Sequence, residues 1–141
     1  MGSSFDDFMG EIYGRIGKGD ALSKCDDGVE IGNATIHMQR MLDASTFGKI
    51  TGSCGETMEI FLRIEGEQIV DASFRTDGCI SSILCGLVAS RLAKGKTVDD
   101  AAMIGGDTIL LVLKQLPETE SHCAYLAAEA LQAAIHNWMI Q

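Results

Sequence analysis

From Met58 to Ile64, and again from Val70 to Phe74, apolar residues recur on every second position; from Ile80 they recur on every third or fourth. This change of period restricts the fold more than any other feature of the chain. Met58, Ile60, Leu62 and Ile64 share one side of an extended segment, opposite Thr57, Glu59, Arg63 and Glu65. Glu65-Gly66-Glu67-Gln68 reads as a turn, after which Val70, Ala72 and Phe74 alternate with Asp71, Ser73 and Arg75. The alternation predicts an antiparallel hairpin with one wet face, and Phe47 to Thr51 is expected to add a third strand. Ile80, Ile83, Leu84, Leu87, Val88, Arg91 and Leu92 then keep helical spacing until Gly95 stops the run. Thr97-Val98-Asp99-Asp100 predicts a capped short helix with acid in its first turn. Gly105-Gly106-Asp107 precedes an apolar helix through Leu113, Pro117 interrupts, and Ser121 is expected to cap a last helix running to about Trp138. A hairpin followed by helices implies an α+β fold, a small antiparallel three-stranded sheet with helices packed on one face.

Residues 1–47 carry the weakest pattern. Phe5, Phe8, Met9 and Ile12 are spaced for a helical face, the glycines from Gly14 to Asp20 break it, and Ile36 to Leu42 predicts a second short helix. The expected organisation is a partly helical N-terminal segment, 1–47, ahead of a domain over 48–141, within one compact unit of ordinary size.

The formal net charge of −9 argues against nucleic acid, which demands clustered Lys and Arg. No apolar run is long enough to span a bilayer, and the first residues lack the basic and apolar regions of an export signal. Five cysteines, Cys25, Cys54, Cys79, Cys85 and Cys123, are odd in number and widely spaced, which speaks against a disulfide framework and for a reducing, cytoplasmic setting.

Three of these thiols stand at element ends. Cys54 lies between glycines just before the first clear strand, Cys79 follows Gly78 and opens a helix, and Cys123 opens the last one. Helix starts carry unpaired N–H groups and partial positive charge, which favour the thiolate that attacks sulfur and binds metal. His122 adds an imidazole beside Cys123, and Glu56 adds a carboxylate two residues after Cys54. Three sulfurs with one nitrogen or oxygen complete either a tetrahedral zinc site or four positions on a two-iron cluster. The intervals of 25 and 44 residues match no local finger or ribbon. For any one cysteine alone, a small buried hydrophobe is the commoner role, and it is the role read for Cys25. Cys85 lies about 240° around the helix from Cys79, on a small-residue face with Ser82 and Ala89. Its expected task is close packing, with a spare ligand or sulfur carrier as the alternative. His37 and His136 are read as structural. Only the joint placement of Cys54, Cys79, His122 and Cys123 points to a shared site.

At these residues the sequence resembles the U-type iron–sulfur cluster scaffold family, which includes IscU and the N-terminal domain of NifU. The stretches that carry the resemblance are CGETMEIFLRI (54–64), DASFRTDGC (71–79), LAKGKTVDDA (92–101) and HCAYLAAEALQAAI (122–135), in the family's order and spacing. Together they cover roughly residues 48 to 138; residues 1–47 diverge. The resemblance implies the fold shared by SufE- and NifU-like proteins, with the site at one exposed end. It implies Cys54, Cys79 and Cys123 as cluster cysteines, His122 as the family's histidine, and Cys123 as the persulfide acceptor. Glu56 stands where the family commonly has aspartate, an acid that tunes cluster lability and can itself ligate. Ile80 replaces a common glycine. The chaperone-recognition run of many members, leucine-proline-proline-valine-lysine, is replaced by Leu116-Pro117-Glu118-Thr119-Glu120. Loss of the lysine and gain of two acids count against recognition by the dedicated Hsp70-type chaperone. Cys85 resembles an extra cysteine of one branch.

The function implied is a scaffold rather than an enzyme: assembly of a labile [2Fe–2S] cluster on Cys54, Cys79, Cys123 and either His122 or Glu56, with sulfur from a cysteine desulfurase and transfer to apo iron–sulfur proteins. The alternative is a zinc-bound persulfide acceptor, of sulfurtransferase type, that activates the desulfurase. A third reading is a small interaction domain with inert cysteines.

Overall fold

A computed structural model describes the backbone of residues 22–25, 28–31 and 34–37, and residues 41–141 apart from 54, 115 and 117. The chain divides into two units, residues 1–38 and 39–141. In the first, β1 (Leu22–Cys25), β2 (Gly28–Ile31) and β3 (Ala34–His37) form an antiparallel sheet in the order β1-β2-β3. Ile36 and His37 thus end a strand, where the spacing predicts the start of a helix over 36–42. Pairing with β2, Val29 opposite Ile36, satisfies the backbone that a helix would otherwise satisfy internally. The helix expected on Phe5 to Ile12, the break from Gly14 to Asp20 and the interruption at Pro117 lie outside the described residues.

In the second unit, β4 (Thr46–Thr51), β5 (Thr57–Glu65) and β6 (Gln68–Thr76) make a second antiparallel sheet with β5 at its centre. The helices follow as α1 (Ile80–Ala93), α2 (Val98–Ala101), α3 (Gly106–Val112) and α4 (His122–Met139), the last entered through a 3-10 turn at Glu118–Glu120. Gly48, Ile60 and Phe74 are register partners across the three strands and therefore share one face. A Cβ on Gly48 would collide with the backbone of α4 at Ala130 and Ala134, and one on Gly86 of α1 would strike the Phe74 ring. Both long helices therefore cover the same side of the sheet, as the pattern predicts. Met58, Ile60, Leu62 and Phe74 meet Ile83, Val88, Leu131 and Ala134 there, all shielded from water. At about 25 cal/mol per Å² of apolar surface removed from water, this layer supplies the main stabilisation of the unit.

The opposite face is not wholly wet. Phe61 is buried on it and stacks on its cross-strand partner Phe47, with ring centroids 5.7 Å apart. In β6 the predicted alternation fails at one point. Arg63 pairs with Asp71 but Ile64 pairs with Ile69, so Val70 is an extra residue in the ladder. This bulge reverses the parity, and Ile69 rather than Val70 enters the core.

Helix ends follow local chemistry. The Thr97 hydroxyl accepts from Asp100 N and caps α2. After α1 the chain leaves through Gly95, whose φ of 91° suits glycine. Ser121 occupies the cap position of α4, but its side chain makes no capping bond, contrary to expectation. Its own backbone is already helical, because the 3-10 turn runs straight into α4. Among the described residues no helix is long and apolar enough to cross a membrane.

Candidate metal and sulfur site

Met58 near the start of β5 pairs with Thr76 at the end of β6, so the segments just outside both strands emerge at one end of the sheet. Before β5, Gly52 N donates to Glu56 O at 2.7 Å and Gly55 N to Gly52 O at 3.0 Å, a tight turn that needs the positive φ of Gly55. After β6, Asp77 accepts from Thr57 N at 2.8 Å, and Gly78 N donates to Thr76 Oγ1. These bonds hold the segments that carry Glu56 and Cys79 at this end of the sheet. The starts of α1 and α4 reach the same end.

The side chains converge there. His122 Nε2 lies 3.5 Å from Glu56 Oε1 and 3.6 Å from Cys123 Sγ. Ser82 Oγ donates to Glu56 Oε2 at 2.9 Å and lies 3.4 Å from Cys123 Sγ. The Cys79 and Cys123 thiols donate to Glu120 Oε2 at 3.8 and 4.0 Å. Two donor groups result, Glu56–His122–Cys123 and Cys79–Glu120–Cys123, each with all its ligand atoms within 4.8 Å of one another. They meet at the Cys123 sulfur. Gly78 makes the arrangement possible, since a Cβ there would fall 2.6 Å from Ser82 Oγ and 2.7 Å from Glu56 Oε2.

Exposure grades across the site. Cys79 and His122 face solvent, Glu56 is largely covered, and Cys123 and Ser82 are fully buried. Burial pushes the Cys123 thiol up to about 11; Ser82 opposes the shift, while Glu56, Cys79 and Glu120 add to it. The thiolate-favouring effect expected of a helix start is therefore outweighed at Cys123 by desolvation and neighbouring negative charge. A cation would reverse the balance, because it replaces the thiol proton with a stronger positive partner.

Residues 33–141 match the family model of the NifU-like N terminal domain. The chain belongs to that family. The iron-sulfur cluster assembly scaffold protein IscU 1 of Archaeoglobus fulgidus is 39% identical over 82 residues, 58% of this chain and 54% of that protein. The iron-sulfur cluster assembly protein IscU of Plasmodium falciparum is 38% identical over 100 residues, 71% of this chain and 60% of that protein. The nitrogen fixation protein NifU of Nostoc sp. is 36% identical over 88 residues, 61% of this chain but 29% of that protein. The chain thus spans about half the length of the archaeal relative and under a third of the cyanobacterial one. In fold it is similar to the N-terminal NifU-like protein of Brucella abortus, with a TM-score of 0.61 over 74% of this chain and 85% of that one at 12% identity.

Within this NifU-like unit, Cys79, Cys123, His122 and Glu56 come together. Cys54 lies outside the described residues. Cys85 is wholly buried in α1 and belongs to neither donor group; burial first, then the charges of the site, push its thiol up. Ser82, expected on a packing face, and Glu120, expected only as part of an altered run, both join the site. Glu120 stands one turn before Cys123, the distance at which side chains meet, whereas Ser82 meets Glu56 and Cys123 across elements, where no local spacing marks it.

Proposed function

We propose that this chain is a scaffold on which iron and sulfur are joined into a labile [2Fe–2S] cluster for delivery to apo-proteins. The observation that carries the reading is the meeting of two thiols, an imidazole and a carboxylate at one end of the sheet, in a family whose relatives include proteins named as iron–sulfur assembly scaffolds. Iron is cargo. Cys54, Cys79 and Cys123, with His122 or Glu56, are its ligands in this reading. Sulfur arrives when the Cys123 thiolate attacks the outer sulfur of a cysteine desulfurase persulfide. A new S–S bond forms, the old one breaks, and the electron pair leaves with the desulfurase cysteine. An electron pair from an external reductant then releases each sulfur as sulfide. Mixed hard and soft ligands hold a cluster less firmly than four thiolates, which suits transfer.

A second reading, a zinc-held sulfur acceptor, is favoured by one observation. Glu56, His122 and Cys123 are already spaced at 3.5 and 3.6 Å, close to the ligand edges of a mononuclear tetrahedral ion. Anaerobic incubation with iron(II), a cysteine desulfurase, cysteine and reductant separates the two. The scaffold reading expects visible sulfur-to-iron charge-transfer bands that vanish on mixing with an apo-ferredoxin as the ferredoxin spectrum appears. A protein that keeps stoichiometric zinc, forms no coloured cluster and still accelerates the desulfurase supports the second reading. Cys79→Ser or Cys123→Ser variants that assemble as well as the parent defeat the first.

A further inference from the structure

We propose that Glu120 is a metal ligand, and that Cys79–Glu120–Cys123 is a second cation subsite sharing the Cys123 sulfur with Glu56 and His122. The inference rests on the scaffold reading for its purpose, since a two-iron product requires two irons at one rim, but its geometry stands by itself. With metal–sulfur bonds near 2.3 Å and metal–oxygen or metal–nitrogen bonds near 2.0–2.2 Å, a tetrahedral ion has ligand edges of about 3.3–3.8 Å. Glu120 Oε2 lies 3.8 Å from the Cys79 sulfur and 4.0 Å from the Cys123 sulfur. The two Glu120 edges therefore need adjustments of a few tenths of an ångström, and the edge between the two sulfurs lies within 4.8 Å.

Glu120 is held for the task. It ends the 3-10 turn, whose Ser121 N donates to Glu118 O at 3.1 Å, and α4 begins two residues later. The carboxylate thus sits one turn before Cys123 on a continuous piece of backbone. In the metal-free site it accepts hydrogen bonds from both thiols, and a dication takes the place of their protons among the same three atoms. The two subsites draw on different carboxylates and share the Cys123 sulfur. A shared thiolate brings their ions into the separation of about 3.5–4 Å found in two-metal centres. A second iron can then settle beside the first before sulfur arrives.

The test is anaerobic titration of the full chain with Co(II), an ion that reports its ligands through visible d–d and sulfur-to-cobalt bands. The parent protein should take up a first and then a second equivalent, with distinguishable spectra. E120Q should lose the second equivalent and keep the first, H122A should lose the imidazole-bound ion, and E118Q, which removes the same charge from the same turn, should match the parent. A parent that binds a single equivalent, or an E120Q protein that binds both with unaltered spectra, overturns the Glu120 subsite and leaves the scaffold reading intact. A parent that binds no Co(II) overturns both.

Discussion

Gly48→Ala is the sharpest test of how the fold holds the site. Gly48 lies in β4 opposite Ile60, and the added Cβ would press on the Ala130 carbonyl oxygen and the Ala134 nitrogen of α4. Both are main-chain atoms, so neither can rotate aside. The helix must back away by about 1 Å to restore ordinary carbon contact distances. Overpacking of this kind costs about 1–3 kcal/mol. The retreat also strains the buried bond from Thr46 Oγ1 to Ala134 O, 2.8 Å long, whose loss leaves an unpaired polar group at a cost of about 1–3 kcal/mol. The sum, about 2–6 kcal/mol, is a large part of the 5–15 kcal/mol typical of a domain. Urea unfolding followed by circular dichroism and by the fluorescence of Trp138, the sole tryptophan, measures it. The same movement carries His122 and Cys123 away from Glu56 and Cys79, so affinity for Co(II) should fall with stability. A loss below about 1 kcal/mol, with unaltered Co(II) affinity, would refute the view that α4 is seated on a bare strand to position its cysteine.

Ser82→Ala removes a donor from the Glu56 carboxylate, and bonds to charged groups are worth about 1.5–3 kcal/mol. Because Glu56 has further interactions, a loss near the lower end is expected in urea unfolding, and no loss would mean that Ser82 does not hold Glu56. Cys123, raised from 9.0 to about 11, should show its thiolate ultraviolet absorbance only in strongly alkaline solution. Its folded-state value is raised, so its contribution to stability is complete below pH 9 and is lost as pH climbs through about 11, the unfolded thiol ionising first. Cation binding at pH 8 should therefore release the Cys123 proton, seen by calorimetry in buffers of different ionisation heat; binding without proton release would contradict the assignment of Cys123 as a ligand.

Much of this was legible in the sequence because two periods are hard to confuse. The strand over Thr57–Glu65 and the helix after Cys79 follow from the alternation of Met58 to Ile64 and the spacing of Ile83 to Leu92. What escaped was set by pairing and by tertiary contact. The bulge at Val70 is a property of two strands in register, so β6 read alone puts the wrong residue in the core. Ile36 and His37 belong to a strand because of what they pair with, not because of their own spacing. Glu56, Cys79, His122 and Cys123 could be named from type and position, since each stands at an element end. Ser82 could not, because its partners Glu56 and Cys123 lie far off in the chain, and the one-turn spacing of Glu120 to Cys123 does not say that it also faces Cys79. The elevated Cys123 thiol escaped for the same reason: a helix start is visible in a sequence, whereas the burial that raises the thiol and the carboxylates folded against it are not.

A scaffold role requires Cys79 and Cys123 to grip the same cargo together with sulfide. Iron and acid-labile sulfide, assayed on protein reconstituted without air and freed of excess reagents, test this most directly. Equal amounts of the two, abolished together in Cys79→Ser and in Cys123→Ser, are the predicted result. Iron or zinc bound without sulfide, or sulfide retained when either cysteine is replaced, would contradict it.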